Sequence, residues 1–501
     1  MNQVPSLDVL ALRPISAPGL KPVLHFIGLA LMATSGMMLF PLATDLWFDH
    51  ADWRAFAIAA VLAALTGLTC ALISRGSLHA GLTLRQAFIV TPLSWASVTA
   101  FSALPFYLSD YGNVSGNLAN SVFEAVSGIT TTGATVMSGL DHAPPGMLLW
   151  RGLLQWMGGI GIIAAAIAIL PALGIGGMQL FRTESSDRSD KAMPRVRQIA
   201  AAIVFVYLGL TVICALVYWL CGMKPFDALV HALTSIATGG NSTTDSSFGA
   251  WDKNGIQWFA TLFMLSGSVP FILYVRFLSG DRRAFFDRQV KSYLTGLAFI
   301  IGVLGLGLFL TGQYDLEPAF RFAAFNVVSV VTTTGYASTD YTLWGNAAVG
   351  LFFGLTFVGG CTGSTSGGIK IFRFEILWLM LRTHFMRLLY PRGVFPTTYG
   401  EKLIDDEVIG SVVAFFSVFF ISYSSLTIAL MALDLDFLTS ASGAVTALSN
   451  VGPGLGPVIG PAGNFSTLPD TAKWLLSFAM MLGRLELFTV LVLFLPRFWR
   501  G

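Results

Sequence analysis

The chain reads as an all-α polytopic membrane protein: four pseudo-symmetric helix–pore-loop–helix units around one central pathway, plus two extra N-terminal transmembrane helices. Three observations predict this. Of the 501 residues, 54% are hydrophobic and only 11% are charged, with a mean hydropathy of +0.71. Soluble domains carry about 25% charged residues. Several apolar runs approach the ~20 residues that cross a bilayer as a helix. One glycine pattern also recurs four times, each copy after a short apolar stretch and before a long hydrophobic run.

Taken in order, spanning helices are predicted at roughly 23–48, 55–75, 86–108, 147–178, 198–221, 254–279, 291–312, 344–385, 407–433 and 472–496. Between some of them lie apolar stretches at 118–130, 226–237, 318–331 and 437–448. These are too short to span a bilayer and read as re-entrant segments. Each ends at a copy of the glycine pattern. The sequence divides into 1–80, with the N-terminus and the two extra helices, and pore units at 81–195, 196–288, 289–404 and 405–501.

The basic residues orient the layout. Arg75, Arg85, Arg195, Arg197, Arg276, Arg282, Arg283, Arg382, Arg387 and Arg392 fall on one set of connections, with most of the other basic residues. The positive-inside rule makes that side cytoplasmic. The segment from Met1 to Pro22 lacks a signal-peptide core and is expected to stay there. The glycine turns then open to the outside, where Asp110, Asp141, Asp245, Asp252 and Asp340 lie. The four cysteines sit in or beside apolar runs without CxxC spacing and read as small buried hydrophobes. A net charge of +2, with no basic stripe interleaved with stacking aromatics, gives no sign of nucleic-acid binding.

The repeat carries the chemistry. It reads TTTGATV from Thr130 to Val136, ATGGNST from Ala237 to Thr243, TTTGYAS from Thr332 to Ser338 and SNVGPGL from Ser449 to Leu455. Glycine permits positive φ and turns successive carbonyls toward one axis. Four such turns make a ring of oxygens that replaces a cation's hydration shell, so the units enclose an ion pathway. Irregular backbone at membrane depth is tolerated where protein surrounds it. The candidate filter residues are Thr131, Thr132, Gly133, Gly239, Gly240, Thr333, Thr334, Gly335, Asn450, Val451 and Gly452. None of the copies is TVGYG, so a shorter filter than a long carbonyl ladder is expected. Thr135 and Glu124, the latter in SVFEAVSGIT, are candidates to hold the first turn. Glu124 at the outer rim is the alternative.

With GGCTGSTSGGIKIFR (Gly359 to Arg373) and GRLELFTVL (Gly483 to Leu491), these motifs resemble the Trk/Ktr/HKT superfamily of potassium transporters over nearly the whole chain. The two added helices look like its TrkH branch. The resemblance implies potassium uptake across a bacterial cytoplasmic (inner) membrane, with the potassium ion as substrate. It also implies a homodimer and a cytosolic nucleotide-binding regulatory subunit of the TrkA type. No nucleotide-binding motif sits in this chain, so the partner is expected to bind any nucleotide. Asn241 departs from the family pattern, where an aromatic is expected, and bears on the packing behind the second turn.

The run from Gly359 to Gly368 interrupts the third unit. Five glycines, Gly359, Gly360, Gly363, Gly367 and Gly368, cannot hold a stable helix when each costs about 1 kcal/mol. A mobile intramembrane loop that blocks the path is expected, with a static packing break as the alternative. A phosphate-binding loop fails on spacing, because Lys370 is followed by Ile371. Arg484 lies mid-span, where a charge faces a cavity or a partner. It is predicted to line the pore beside the loop, the alternative being an ion pair with Glu486. Lys370 either adds charge at the inner mouth or snorkels. No chain of Asp, Glu and His follows the path, which predicts uncoupled, gated flux. The alternatives are a sodium- or proton-coupled symporter and a sodium-permeable relative. The six histidines show no HExxH spacing, and no enzyme is expected.

Overall fold

The computed structural model describes residues 19–76, 83–168, 192–251, 254–399 and 402–500. Residues 1–18 of the predicted cytoplasmic N-terminus, the end of the 147–178 span, most of the basic loop 182–197, and Asp252 lie outside the described residues.

The two extra helices, Lys21–Trp47 and Trp53–Ile73, form a tight hairpin. Small residues let their backbones meet: a Cβ on Gly28 would lie 2.7 Å from Gly67 O, and one on Gly67 would lie 2.8 Å from Gly28 O. Ser35 Oγ donates to Ala60 O across the pair at 2.7 Å. The outer end of the hairpin docks on the first unit. Asp45 accepts from Gly146 N at 2.6 Å, and Asp52 accepts from Ser109 Oγ at 2.7 Å.

Each of the four units then has a leading helix, a short helix, a turn and a trailing helix. The leading helices are Leu84–Ser102 (continued by Leu104–Leu108), Ala192–Leu220, Arg288–Leu310 and Asp406–Met431. Their apolar side chains include Phe205, Phe299 and Ile421, which are exposed on the outside of the bundle, as a helix facing lipid requires. The short helices are Leu118–Ile129, Pro225–Ile236, Leu316–Val331 and Phe437–Ser449, within a few residues of the predicted re-entrant stretches. They are nearly all buried, and they pack inside the ring of long helices. Six described helices are long and apolar enough to cross a membrane, or eight with each bent pair counted as one.

Two of the trailing helices, those of the second and fourth units, correct the sequence reading, which took each of them as one continuous span. The predicted 254–279 helix is Asn254–Ser268 followed by Phe271–Leu278, bent by 92°. Pro270, at the break, has no amide hydrogen to continue the ladder. The predicted 472–496 helix is Asp470–Arg484 followed by Leu487–Leu491, bent by 111°, with Glu486 at φ 61° turning the chain. In the third unit, Asn346–Leu355 and Ile371–Leu389 flank a non-helical loop, as its glycines require. A parallel bridge between Val358 and Ile369 closes the neck of that loop.

Candidate functional site

The four glycine turns share one backbone course. Thr131, Thr238, Thr333 and Asn450 take positive φ of 52°, 50°, 59° and 55°. Gly133, Gly240, Gly335 and Gly452, two residues on, take 80°, 81°, 83° and 105°. A non-glycine residue held there stores roughly 1–3 kcal/mol of strain, which persists where the surroundings over-determine it. The amides close the short helix behind them. Thr131 N donates to Gly128 O at 3.0 Å and Thr132 N to Ser127 O at 2.9 Å, and the three other turns repeat this pair. That is a Schellman ending. It directs the N–H groups backward and leaves the following carbonyls without a helical partner.

Those carbonyls meet the next unit in a closed cycle. A Cβ on Gly133 would collide with Gly239 O, one on Gly240 with Thr334 O, one on Gly335 with Val451 O, and one on Gly452 with Thr132 O. Each glycine therefore admits its neighbour's carbonyl, and the fourth unit returns to the first. The structure thus brings Thr131, Thr132, Gly133, Gly239, Gly240, Thr333, Thr334, Gly335, Asn450, Val451 and Gly452 into one ring. On one side a cavity is lined by Gly133, Gly240, Gly335 and Gly452 together with Thr135, Arg151 and Asp245.

The first turn is held by a buried ion pair. Glu124 accepts from Val136 N at 3.0 Å and from Thr135 Oγ1 at 3.0 Å. Arg151 Nε reaches Glu124 at 2.7 Å, with the two side chains 2% and 1% exposed. Arg151 Nη1 also donates to Ser242 O of the second unit at 3.0 Å. The exposed-rim alternative for Glu124 is overturned by this burial. His231 and Asn326 hold the corresponding place in the second and third units. They bond Ser242 Oγ at 3.0 Å and Ser338 N at 3.2 Å. Asn241, the departure from the family pattern, donates from its backbone to Gln155 Oε1 at 3.1 Å. Behind the second short helix, Tyr336 of the third unit bonds Thr234, beside Tyr218, Phe248 and Trp251 of the second unit.

Sequence reasoning missed a layer of hydroxyls six positions before each glycine: Ser127, Thr234, Ser329 and Thr446. Three of them fix the carbonyl just past the glycine. Ser127 Oγ donates to Ala134 O at 2.5 Å, Ser329 Oγ to Tyr336 O at 2.6 Å, and Thr446 Oγ1 to Pro453 O at 3.1 Å. Aligning the four copies would have found them. It also missed Gly158, Gly267 and Gly483 in the trailing helices. A Cβ on these would collide with Ile129 O, Ile236 O and Leu448 O, the same position in three short helices.

On the opposite side of the ring, the loop from Gly359 to Gly368 seats against the turns. Gly367 N donates to Thr333 Oγ1 and Ser366 Oγ to Thr332 O, both at 2.7 Å. Thr365 Oγ1 meets Thr238 Oγ1 at 3.1 Å. A Cβ on Gly367 would strike Ser449 O, one on Gly359 would strike Gly367 O, and Gly360 lies as closely against Ser366. Gly363 and Gly368 take positive φ of 83° and 65° and turn the loop on itself. Arg484, buried to 2% exposure, donates to Thr365 O at 2.8 Å and to Gly158 O at 3.3 Å. It does not pair with Glu486, whose carboxylate binds Arg373 at 2.8 Å. Lys370 is buried and donates to Ser366 O, so it does not snorkel. Gly363, Gly367, Gly368, Lys370, Arg484 and Glu486 line a second cavity there.

Fold and site together define a polytopic helical membrane protein with four pseudo-symmetric pore loops around one axis. A family model for TrkH, described as a cation transport protein, matches residues 55–300 and 293–500. The Trk system potassium uptake protein TrkI of Halomonas elongata is 48% identical over 486 residues, covering 96% of this chain and 97% of its own length. The Escherichia coli Trk system potassium uptake protein TrkH is 34% identical over 485 residues, 96% of this chain and 99% of its own. The crystal structure of the potassium transporter TrkH from Vibrio parahaemolyticus superposes with a TM-score of 0.87 at 34% identity, covering 96% of this chain and 99% of that one. The chain belongs to the TrkH family of cation transport proteins. Its relatives are transporters, not enzymes.

Proposed function

We propose that this chain is the membrane subunit of a Trk-type potassium uptake system of the bacterial inner membrane, and that potassium crosses it through a gated pore. The relatives at 34–48% identity over nearly its full length are potassium uptake proteins. The observation that carries the pore is the closed cycle of glycine-to-carbonyl contacts from Gly133 through Gly240, Gly335 and Gly452. A ring of preplaced carbonyls replaces hydration oxygens at little reorganisation cost. The pore divides into units at 81–195, 196–288, 289–404 and 405–501, behind the N-terminal 1–80.

The loop from Gly359 to Gly368 is the gate, and this conformation is its closed form. It contacts the turns of the second, third and fourth units, while Arg484 bridges the loop to Gly158 of the first. Arg484 also sets a positive barrier to a cation directly beneath the ring. Arg276, Arg282, Arg283, Arg382, Arg387 and Arg392 are exposed on the connections assigned to the cytoplasm, opposite the side where the filter opens. They supply a basic face for an acidic ring of TrkA-type regulatory subunits, beneath a homodimer.

The test is ion flux in proteoliposomes holding the purified chain, under potassium or sodium gradients. Potassium flux driven by its own gradient, without sodium and at any pH, is expected. Flux that requires a sodium or proton gradient would replace this mechanism with coupled symport. Equal sodium and potassium flux would make it a sodium-permeable member of the family.

A further inference from the structure

The second turn carries Gly239 where the others carry Thr132, Thr334 and Val451. The cause lies in the first unit. A Cβ on Gly239 would collide with the carboxamide of Gln155, a fully buried residue of the trailing helix Pro145–Ala168. Asn241 N donates to Gln155 Oε1 at 3.1 Å, which fixes which end of the amide is which. Gln155 Nε2 then donates to Gly239 O at 2.5 Å. That oxygen belongs to the ring, as the one against which Gly133 packs. Among the described residues no side chain donates to Thr132 O, Thr334 O or Val451 O. One of four ring oxygens is therefore chemically unlike the others.

We propose that Gln155 is a specificity-determining residue of the filter, tuning the ring toward potassium over sodium. The inference rests on the filter reading above. Two accounts of cation selectivity give the same sign. In the field-strength account, a positive amide hydrogen beside an oxygen weakens its pull on a cation. A weaker ligand favours the ion that sheds water more cheaply, which is potassium. In the cavity-size account, an oxygen tied from outside the ring cannot move inward to grip the smaller sodium. Gly239 fits the same account, because any side chain there would displace the donor.

The test is the potassium-to-sodium flux ratio in proteoliposomes for wild type, Gln155→Met and Gln155→Glu. Met keeps the length and removes the donor. Glu keeps the acceptor for Asn241 N and places a carboxylate oxygen against Gly239 O. The ratio is expected to fall about fivefold in Gln155→Met, on the order of one net hydrogen bond, and further in Gln155→Glu. If neither variant folds, Gln155→Ala/Gly239→Thr carries the test, since it refills the space with the residue of the first and third turns. It is expected to lose preference in the same direction. An unchanged ratio in folded variants overturns the inference, as does an equal fall in both fluxes, which is the signature of packing alone. Absence of potassium flux both in the wild type and in Arg484→Ala, which releases the loop, overturns the proposed function itself. A selective wild type with indifferent variants overturns only the role of Gln155.

Discussion

At the scale of single residues, Arg484 is the most exposed to test. Its guanidinium holds Thr365 O and Gly158 O, joining the loop to the first unit. Hydrogen bonds to charged groups contribute about 1.5–3 kcal/mol, enough to move a gate's equilibrium by roughly tenfold or more. Arg484→Ala is therefore expected to raise potassium flux about tenfold, read in proteoliposomes against a size-exclusion check of folding. Unchanged flux in a well-folded variant would sink the gating role. Gly335→Ala acts in the opposite sense. Its φ of 83° disfavours any side chain, and its Cβ would enter Val451 O. Loss of flux is expected, and adding Arg484→Ala should not restore it, because opening the gate leaves the ring broken. Recovery in the double variant would place Gly335 in gating instead.

At the scale of elements, the pair of Glu124 and Arg151 ties a short helix, a turn and the trailing helix together. Removing one partner strands a buried charge, which costs roughly 3–5 kcal/mol. Arg151→Met should lower the thermal unfolding midpoint in detergent markedly, and Glu124→Gln/Arg151→Met should regain part of that loss. Equal midpoints for the single and double variants would show that the pair contributes no coupling. The bond from Glu124 to the backbone of the first turn was one of two readings its sequence allowed, the outer rim being the other, because a carboxylate in a short apolar helix beside that turn can reach it. The partner of Glu124 was not legible, since Arg151 lies at the start of an apolar run and sequence spacing does not show which helix faces which. The short helices were legible from length and from the glycine after each. Two breaks in the trailing helices were not. Hydropathy runs unbroken through Pro270 and through Leu485 and Glu486, and it does not register a missing amide hydrogen or a residue at positive φ. Gln155 was invisible for a similar reason: an amide in an amphipathic stretch announces nothing until its backbone partner is placed.

At the scale of the whole molecule, the ring itself is built from backbone carbonyls, while charged side chains stand in the cavities on either side of it. Among the described residues no cluster of three or more His, Cys, Asp or Glu side chains is placed to hold an ion. The pore proposed above predicts potassium flux that is insensitive to an imposed sodium or proton gradient, and stoichiometric proton movement seen with a pH dye would contradict that. The placement of the four short helices has one more consequence. All four end at the ring: Ile129, Ile236, Val331 and Ser449 are their last residues. Each C-terminus carries about half a negative elementary charge from its aligned peptide dipoles. Together they bring roughly two negative charges to the ring without an ionised side chain. If the ring is the filter proposed above, preference for cations over anions is expected to rest on these macrodipoles, which do not titrate. The reversal potential under a potassium chloride gradient should hold its sign and size below about pH 4, where carboxylates protonate. A collapse toward zero there would assign the exclusion of anions to acidic side chains instead.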